Sequence, residues 1–335
     1  MPEPRAMLPV LAFTVACGES ARGEARLCAS SFRHWHPDIP FLTIGDDGYL
    51  LLSGGQPPAW SGEIVSMRSL AGWFLSRHAR RLIYLDSDLF VLGRLEKLID
   101  GGADATTAWT SDYAGYTMGV PDCPRINSGV MASSDPTFWP TWTAAQYGVL
   151  LPALPHFYFN QLSLRILVQA GAVRGTIIDG QPGSPFYNVS IGDQPGDWRV
   201  ENGAAFKGTE HTLVYHQAGE QKRGIDAAPA ALQPLLHELT ANSASSPQVD
   251  FPALWREDGA AFTDIIKQSF PRWPTLTLDA ILAHQYVRTP GSYRSVAPAA
   301  WDRHRNLEGT NWRRIWNRDW HAYIYHALEA PVQAT

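Results

Sequence analysis

The chain has 335 residues, 45% of them hydrophobic and 18% charged, enough to bury a large core in one domain or in a domain with an extension. A net charge of -5 argues against a general nucleic-acid binder, which would present a basic face. Three cysteines, Cys17, Cys28 and Cys123, lack metal-ligand spacing and fit a reducing cytosol better than a disulfide framework.

Leu8 to Cys17 reads as a buried first strand. The apolar run is short and contains Pro9, so neither a signal peptide nor a membrane span is expected there. No segment of the chain reaches the ~18 apolar residues of a spanning helix. Glu19 to His34 reads as a helix, with Ala21, Ala25, Cys28 and Phe32 at helical spacing. Pro40 to Ile44 is a second strand, Gly45 to Gly48 a turn and Ser53 to Gly62 a Gly/Pro-rich loop. Val65 to Arg77 is a helix and Leu82 to Asp86 a strand. This alternation predicts an α/β fold with a mostly parallel, doubly wound sheet, whose ligands sit beyond the carboxyl ends of the strands.

Thr106 to Ser111 is expected to be a strand closed by Asp112, followed by a loop over 115–125 and a strand from Ile126 to Ser133. Asp135-Pro136 opens a helix to about Tyr147. Phe157 to Gln169 reads as a helix, and Val173 to Ile178 and Thr212 to His216 as strands. The Ala-, Pro- and Ser-rich stretch from Ala227 to Ala244 reads as a boundary. It divides a first unit, residues 1–225, from a Trp-rich helical extension, 226–335. In that extension 255–270 looks helical. Over 311–328, Trp312, Ile315, Trp316, Trp320, Tyr323 and Ile324 share one helical face. One reading packs that face onto the first unit. The other, from Arg313, Arg314 and Arg318 beside the tryptophans, is acceptor binding or peripheral contact with the inner membrane face.

The chemistry concentrates in RRLIYLDSDLF, Arg80 to Phe90, where Asp86 and Asp88 leave a buried strand with only Ser87 between them. A strand-ending turn capped by Asp is one reading. The other is a cation site: two partly desolvated carboxylates repel unless a positive charge joins them. A hard ion such as Mn²⁺ or Mg²⁺ takes oxygen ligands and leaves positions for phosphate. TLVYHQAGEQK, Thr212 to Lys222, offers a third ligand. His216 ends a β-prone run, Gly219 permits close approach of backbone to phosphate, and Lys222 adds a point charge. A core histidine at a strand end is the plainer account of His216.

Taken in order, YLDSD, INSGVMASS and the spacing of His216, Gly219 and Lys222 resemble glycosyltransferase family 8, which includes glycogenin-like and lipooligosaccharide galactosyltransferase-like enzymes. The resemblance covers about residues 8 to 224. It implies a GT-A (Rossmann-like) fold, a nucleotide-sugar donor (usually a UDP-sugar), Mn²⁺ or Mg²⁺, and transfer with retention. By the same resemblance Asp86, Asp88 and His216 bind the metal. Arg68, Asp86, Ser87, Asn127, Ser128, Gly219 and Lys222 face the donor, and Asp112 bonds the donor sugar. Residues Thr14–Ala16 and Asp46 flank the nucleotide. Where the family has Asp-Gln, this chain has Asn160-Gln161, which disfavours an aspartate nucleophile and leaves Gln161 as a polar group at the anomeric carbon. Where the family continues Pro-Trp after the lysine, this chain has Arg223-Gly224. The acceptor is left open as a glycan, lipid, protein or small molecule, with no nucleic acid and a cytoplasmic location expected. Two other functions remain: a sugar-phosphate nucleotidyltransferase, and a non-catalytic sugar-binding protein on the same scaffold.

Overall fold

The structure, a computed structural model, describes residues 6–55, 61–100, 107–111, 126–146, 163–164, 167–168, 171–178, 185–190, 196–217, 224–241 and 247–269. Expectations for Asp112, Asn160, Gln161, Gly219, Lys222 and the helix over 311–328 fall outside the described residues.

The first half of the chain runs β1 (Leu8–Val15), α1 (Glu19–Trp35), β2 (Phe41–Ile44), α2 (Asp46–Leu52), α3 (Ser61–Leu75), β3 (Ala79–Leu85), β4 (Leu89–Val91), α4 (Glu96–Asp100), β5 (Thr107–Ser111), β6 (Ile126–Ser133) and α5 (Phe138–Thr143). Then come β7 (Thr176–Ile177), β8 (Val189–Ser190), β9 (Trp198–Glu201), β10 (Ala204–Lys207), β11 (Glu210–Thr212), β12 (Val214–His216), a 3-10 turn (Ile225–Ala227), α6 (Gln233–Ala241) and α7 (Phe251–Ser269).

The central sheet has the order β2-β1-β3-β6-β5-β7. β1 is parallel to β2 and β3, and β5 is parallel to β7. β6 runs against both its neighbours. The sheet is thus mostly parallel, helix-flanked and Rossmann-like, as expected of a GT-A fold. β1 and the second half of β3 read as apolar runs because both faces are buried there. Leu11, Phe13, Leu82, Tyr84, Trp109 and Met131 point into one core, shared with α2, α3, α5 and α7. The alternate residues Ala12, Ile83, Leu85, Ala108, Val130 and Ala132 point into the other, shared with α1 and α4. Gly72 sets the spacing of α3 and α5: a Cβ there would stand 2.1 Å from the Trp139 ring.

Several local expectations change. The glycines of 45–48 open helix α2 instead of a turn. Gly48 lies within the helix, where any Cβ would press on Ile44, at 2.8 Å, and on Phe251, at 3.3 Å. Helix α5 begins at Phe138 with Thr137 as its N-cap; the Asp135 carboxylate accepts from the Thr137 N–H and hydroxyl, which makes Asp135-Pro136 a turn ahead of the helix. The run after Asp88 does not rejoin the central sheet. β4 pairs antiparallel with β12, which pairs parallel with β8, forming a separate three-stranded sheet. A further meander, β9 to β11, precedes β12. Within 227–244 lies helix α6, whose Leu235, Leu236 and Leu239 are buried in a cluster that Leu27 and Trp35 of α1 also join.

Candidate metal and donor site

The site forms where the central sheet meets the small one. Tyr84 and Asp86, two residues apart, share one face of the chain leaving β3. The Tyr84 ring lies edge-on to Phe13, at 5.2 Å, and its hydroxyl donates to Asp86 Oδ1 at 2.6 Å. Arg68 reaches the same oxygen from α3, with Nη1 at 3.0 Å, and stacks its guanidinium over the Tyr84 ring at 4.8 Å. It also donates to the Ser128 carbonyl at 3.3 Å. Arg68 is 6% exposed, so its charge is committed inside the fold next to Asp86. Burial, opposed by the nearby Arg68 charge, pushes the Tyr84 phenol well above its ordinary range, so it stays a donor.

These contacts occupy one oxygen of Asp86 and free the other. Asp86 Oδ2 lies 3.7 Å from His216 Nε2, and Asp88 Oδ1 lies 3.2 Å from the same nitrogen. His216 ends β12, opposite Leu89 of β4. The Gln217 N–H donates to the Asp88 carbonyl at 2.9 Å, so the backbone holds the second aspartate and the histidine side by side. Just beyond, the Gln217 amide donates to the Gly224 carbonyl at 3.0 Å and accepts from its N–H at 2.8 Å.

Room for the cluster comes from β6. Its register against β5 jumps from Trp109 opposite Met131 to Thr110 opposite Asn127, so that Ser128, Gly129 and Val130 bulge. Bulges beside sites re-aim side chains. Here the Gly129 carbonyl accepts from the Asp86 N–H at 2.8 Å. A Cβ on Gly129 would stand 2.5 Å from Asp86 Oδ2, and 3.0 Å from both Asn127 Oδ1 and His216 Cε1. Only glycine leaves that space open. Asn127 Oδ1 accepts from the Gly129 N–H at 2.7 Å, which fixes the amide beside the cluster.

Ligand atoms of Asp86, Asp88 and His216 lie within 4.8 Å of one another, and this is the one group of three such side chains among the described residues. Two carboxylates and an imidazole are a fitting donor set for Mn²⁺ or Mg²⁺, the imidazole favouring Mn²⁺. The uncovered space at Gly129 agrees with that fit. The negative charge is felt across the strand: after burial itself, Asp88 and Asp86 help to push the Cys28 thiol far up, which makes it an inert core residue.

The structure therefore brings together Arg68, Asp86, Ser87, Asp88, Asn127, Ser128 and His216. Near the ends of β1 and β2, the Gly18 N–H donates to Asp46 Oδ1 at 3.0 Å and Arg22 pairs with the same carboxylate. Thr14 is fully buried there, its hydroxyl without a partner among the described residues. Sequence reasoning missed three residues. Tyr84 was visible as the residue two before Asp86. Asn188, which bonds His216 Nδ1 at 2.9 Å, was visible only as a polar residue inside PFYNVS. Thr110, which bonds Asn188, gave no signal at all.

No family model matches the chain, and no curated protein sequence does. Its structural neighbours are glycosyltransferases. One is a glycosyltransferase involved in glycosylation of the major capsid of PBCV-1, at 11% identity, covering 70% of this chain and 100% of that one, with a TM-score of 0.43. Another is the galactosyltransferase LgtC in complex with donor and acceptor sugar analogues, at 15%, 73%, 99% and 0.42 in the same order. A third is the glycosyltransferase GlyE of Streptococcus pneumoniae TIGR4, at 14%, 75%, 64% and 0.43.

Proposed function

We propose that the protein is a retaining glycosyltransferase of the family 8 type, moving a hexose from a nucleotide-sugar, a UDP-sugar by preference, to a hydroxyl acceptor. The observation that carries this reading is the convergence of Asp86, Asp88 and His216 at the carboxyl end of β3, with Arg68 and Tyr84 holding the inner oxygen of Asp86. Mn²⁺ or Mg²⁺ held by the three supplies, when bound, positive charge beside the departing diphosphate.

The other steps fall to the chain. Lys222 places a second positive charge on the diphosphate, and Gly219 lets the backbone approach it. Asn127, its oxygen tied to Gly129, turns its NH₂ to a sugar hydroxyl. Asp112 accepts from another sugar hydroxyl, and Ser87 and Ser128 line the donor's path. Asn160 carries no charge and cannot form a glycosyl ester. The acceptor hydroxyl therefore attacks the face that the diphosphate leaves, and the leaving phosphate oxygen takes its proton. Gln161 orients groups at the anomeric carbon. The Trp-rich stretch over 311–328 serves acceptor or membrane contact. No described helix is long and apolar enough to cross a membrane, and the sparse cysteines suit the cytoplasm.

Thermal-shift measurements with UDP, GDP and CMP, each with Mn²⁺, identify the base; donor hydrolysis with and without EDTA then tests the reaction. Hydrolysis is expected to stop in EDTA and to fall about 10²–10³-fold in Asp88→Ala and His216→Ala. Undiminished turnover in EDTA would overturn the metal's role, and no turnover of any nucleotide-sugar would overturn the reading.

A further inference from the structure

His216 has two ring nitrogens, and the cluster uses one of them. Nε2 faces Asp88 and Asp86. Nδ1 faces Asn188 Oδ1 at 2.9 Å, with Asn188 itself 3% exposed. An amide oxygen only accepts, so Nδ1 must carry the hydrogen in that contact. The orientation of the amide is settled in turn by Thr110. The Asn188 Nδ2 donates to Thr110 Oγ1 at 3.2 Å, and the Thr110 hydroxyl donates to the Val130 carbonyl at 3.4 Å. With its hydrogen directed at Val130, Thr110 accepts from the amide nitrogen and leaves the amide oxygen for the imidazole. Every hydrogen in this chain points the same way, from His216 through Asn188 and Thr110 to the backbone of β6.

That carbonyl is within reach because of the bulge. Thr110 pairs with Asn127 after the register jump, and Val130 lies within the looped-out residues. The displacement that makes room at Gly129 thus also supplies the terminal acceptor. On the other side, β8 pairs with β12 so that Ser190 stands opposite His216, which brings Asn188 alongside the histidine.

We propose that Asn188 and Thr110 are positioning residues that fix the His216 ring and its tautomer, holding Nε2 toward Asp86 and Asp88. The inference rests on the metal reading of that cluster, since a ring nitrogen without its hydrogen is suited to a cation and not to two carboxylates. Partners of this kind commonly govern metal affinity as strongly as 10–100-fold.

Two measurements on the full chain separate this inference from the reading beneath it. The first is nitrogen-15 NMR of the His216 imidazole in metal-free protein, read for the hydrogen on Nδ1. The hydrogen is expected on Nδ1 in the parent and is expected to redistribute in Asn188→Ala. An Nδ1 without hydrogen in the parent would overturn the proposal whatever the metal does. The second is Mn²⁺ binding, with the metal alone as probe, followed by electron paramagnetic resonance. Asn188→Ala is expected to weaken Mn²⁺ about 10–100-fold and Thr110→Val to weaken it less. Asn188→Asp, which keeps the acceptor for Nδ1, is expected to bind nearly as the parent does. Parent-like binding in Asn188→Ala overturns the proposal, as does a loss in Asn188→Asp equal to that in Asn188→Ala. Thr110→Val keeps the shape of the side chain, so it reports on the relay even if Asn188→Ala folds poorly. Absence of Mn²⁺ binding in the parent removes the metal reading, and the tautomer then decides the relay alone.

Discussion

β1 and β6 of the six-stranded sheet run eight residues each, whereas no strand in β4-β12-β8 exceeds three. Each fully buried Leu or Phe contributes about 1.5–3 kcal/mol, so stability accumulates in the larger sheet. The smaller one depends on a short ladder, on its own apolar cluster and on side chains that reach it from elsewhere. Ser31 of α1 accepts from the Val91 N–H at 3.0 Å, and His36 accepts from the Leu95 N–H at 3.0 Å, just past β4. One proposed ligand comes from the end of the large sheet, one from the small sheet, and Asp88 from the corner between them. The lesson is that scaffold and chemistry are separable here except along the seam, and the seam is where substitutions should act most sharply.

Gly129→Ala tests the seam directly. Asp86 cannot swing away from the added Cβ, because Arg68 and Tyr84 grip its other oxygen. A shift of the carboxylate by about 1 Å is expected to cost donor turnover on the order of 100-fold, with a small change in melting temperature. Parent-like kcat in this variant would mean that the seam tolerates slack.

Gly72→Ala probes the scaffold. The new Cβ collides with Trp139, a fully buried ring in the core between α3 and α5. Overpacking of this sort costs about 1–3 kcal/mol, more than the ~1 kcal/mol that alanine gains as a helix former. Denaturant unfolding should show that loss while Mn²⁺ affinity stays at the parent level. A matching loss of affinity would show that scaffold and site are not separable.

The last effect appears only in acid and concerns the anchor of β4. Burial first, then the charge of Arg94, opposed by Glu96, lowers the His36 pKa from 6.5 to about 4. The folded state holds this ring neutral, so its contribution is complete above the unfolded value and is lost as pH falls from 6.5 towards 4. The loss amounts to roughly 2–3 kcal/mol. His36→Gln, which retains an acceptor, should flatten the stability profile across that window in urea titrations. An unchanged profile would assign acid sensitivity to other groups.

Much of this was legible because it was local. Asp86, Asp88 and His216 each follow a β-prone run, and a strand's end is readable from composition. Arg68 sits on a helix expected from the run Val65 to Arg77. The small sheet was not legible: β4 looked like any buried strand, and its partner lies far along the chain. Nor was the bulge, which exists only as a register between β5 and β6. Helix α2 was misread for a related reason. Gly45 and Gly48 signal a turn, yet Gly48 lies in a helix where Ile44, and Phe251 two hundred residues on, crowd the place of a Cβ.

The hydrogen bond from Gln217 to the carbonyl of Asp88 has a consequence for folding. It closes a loop spanning most of the domain, so its entropy cost falls on late steps and gives no reward to an early, half-formed chain. An unfolded or partly folded chain never presents the three ligands together. A cation that binds them would therefore favour the finished fold alone, and by mass action would draw the last stretch of folding to completion. The amide proton of Gln217, followed by hydrogen exchange, becomes a marker of that final closure.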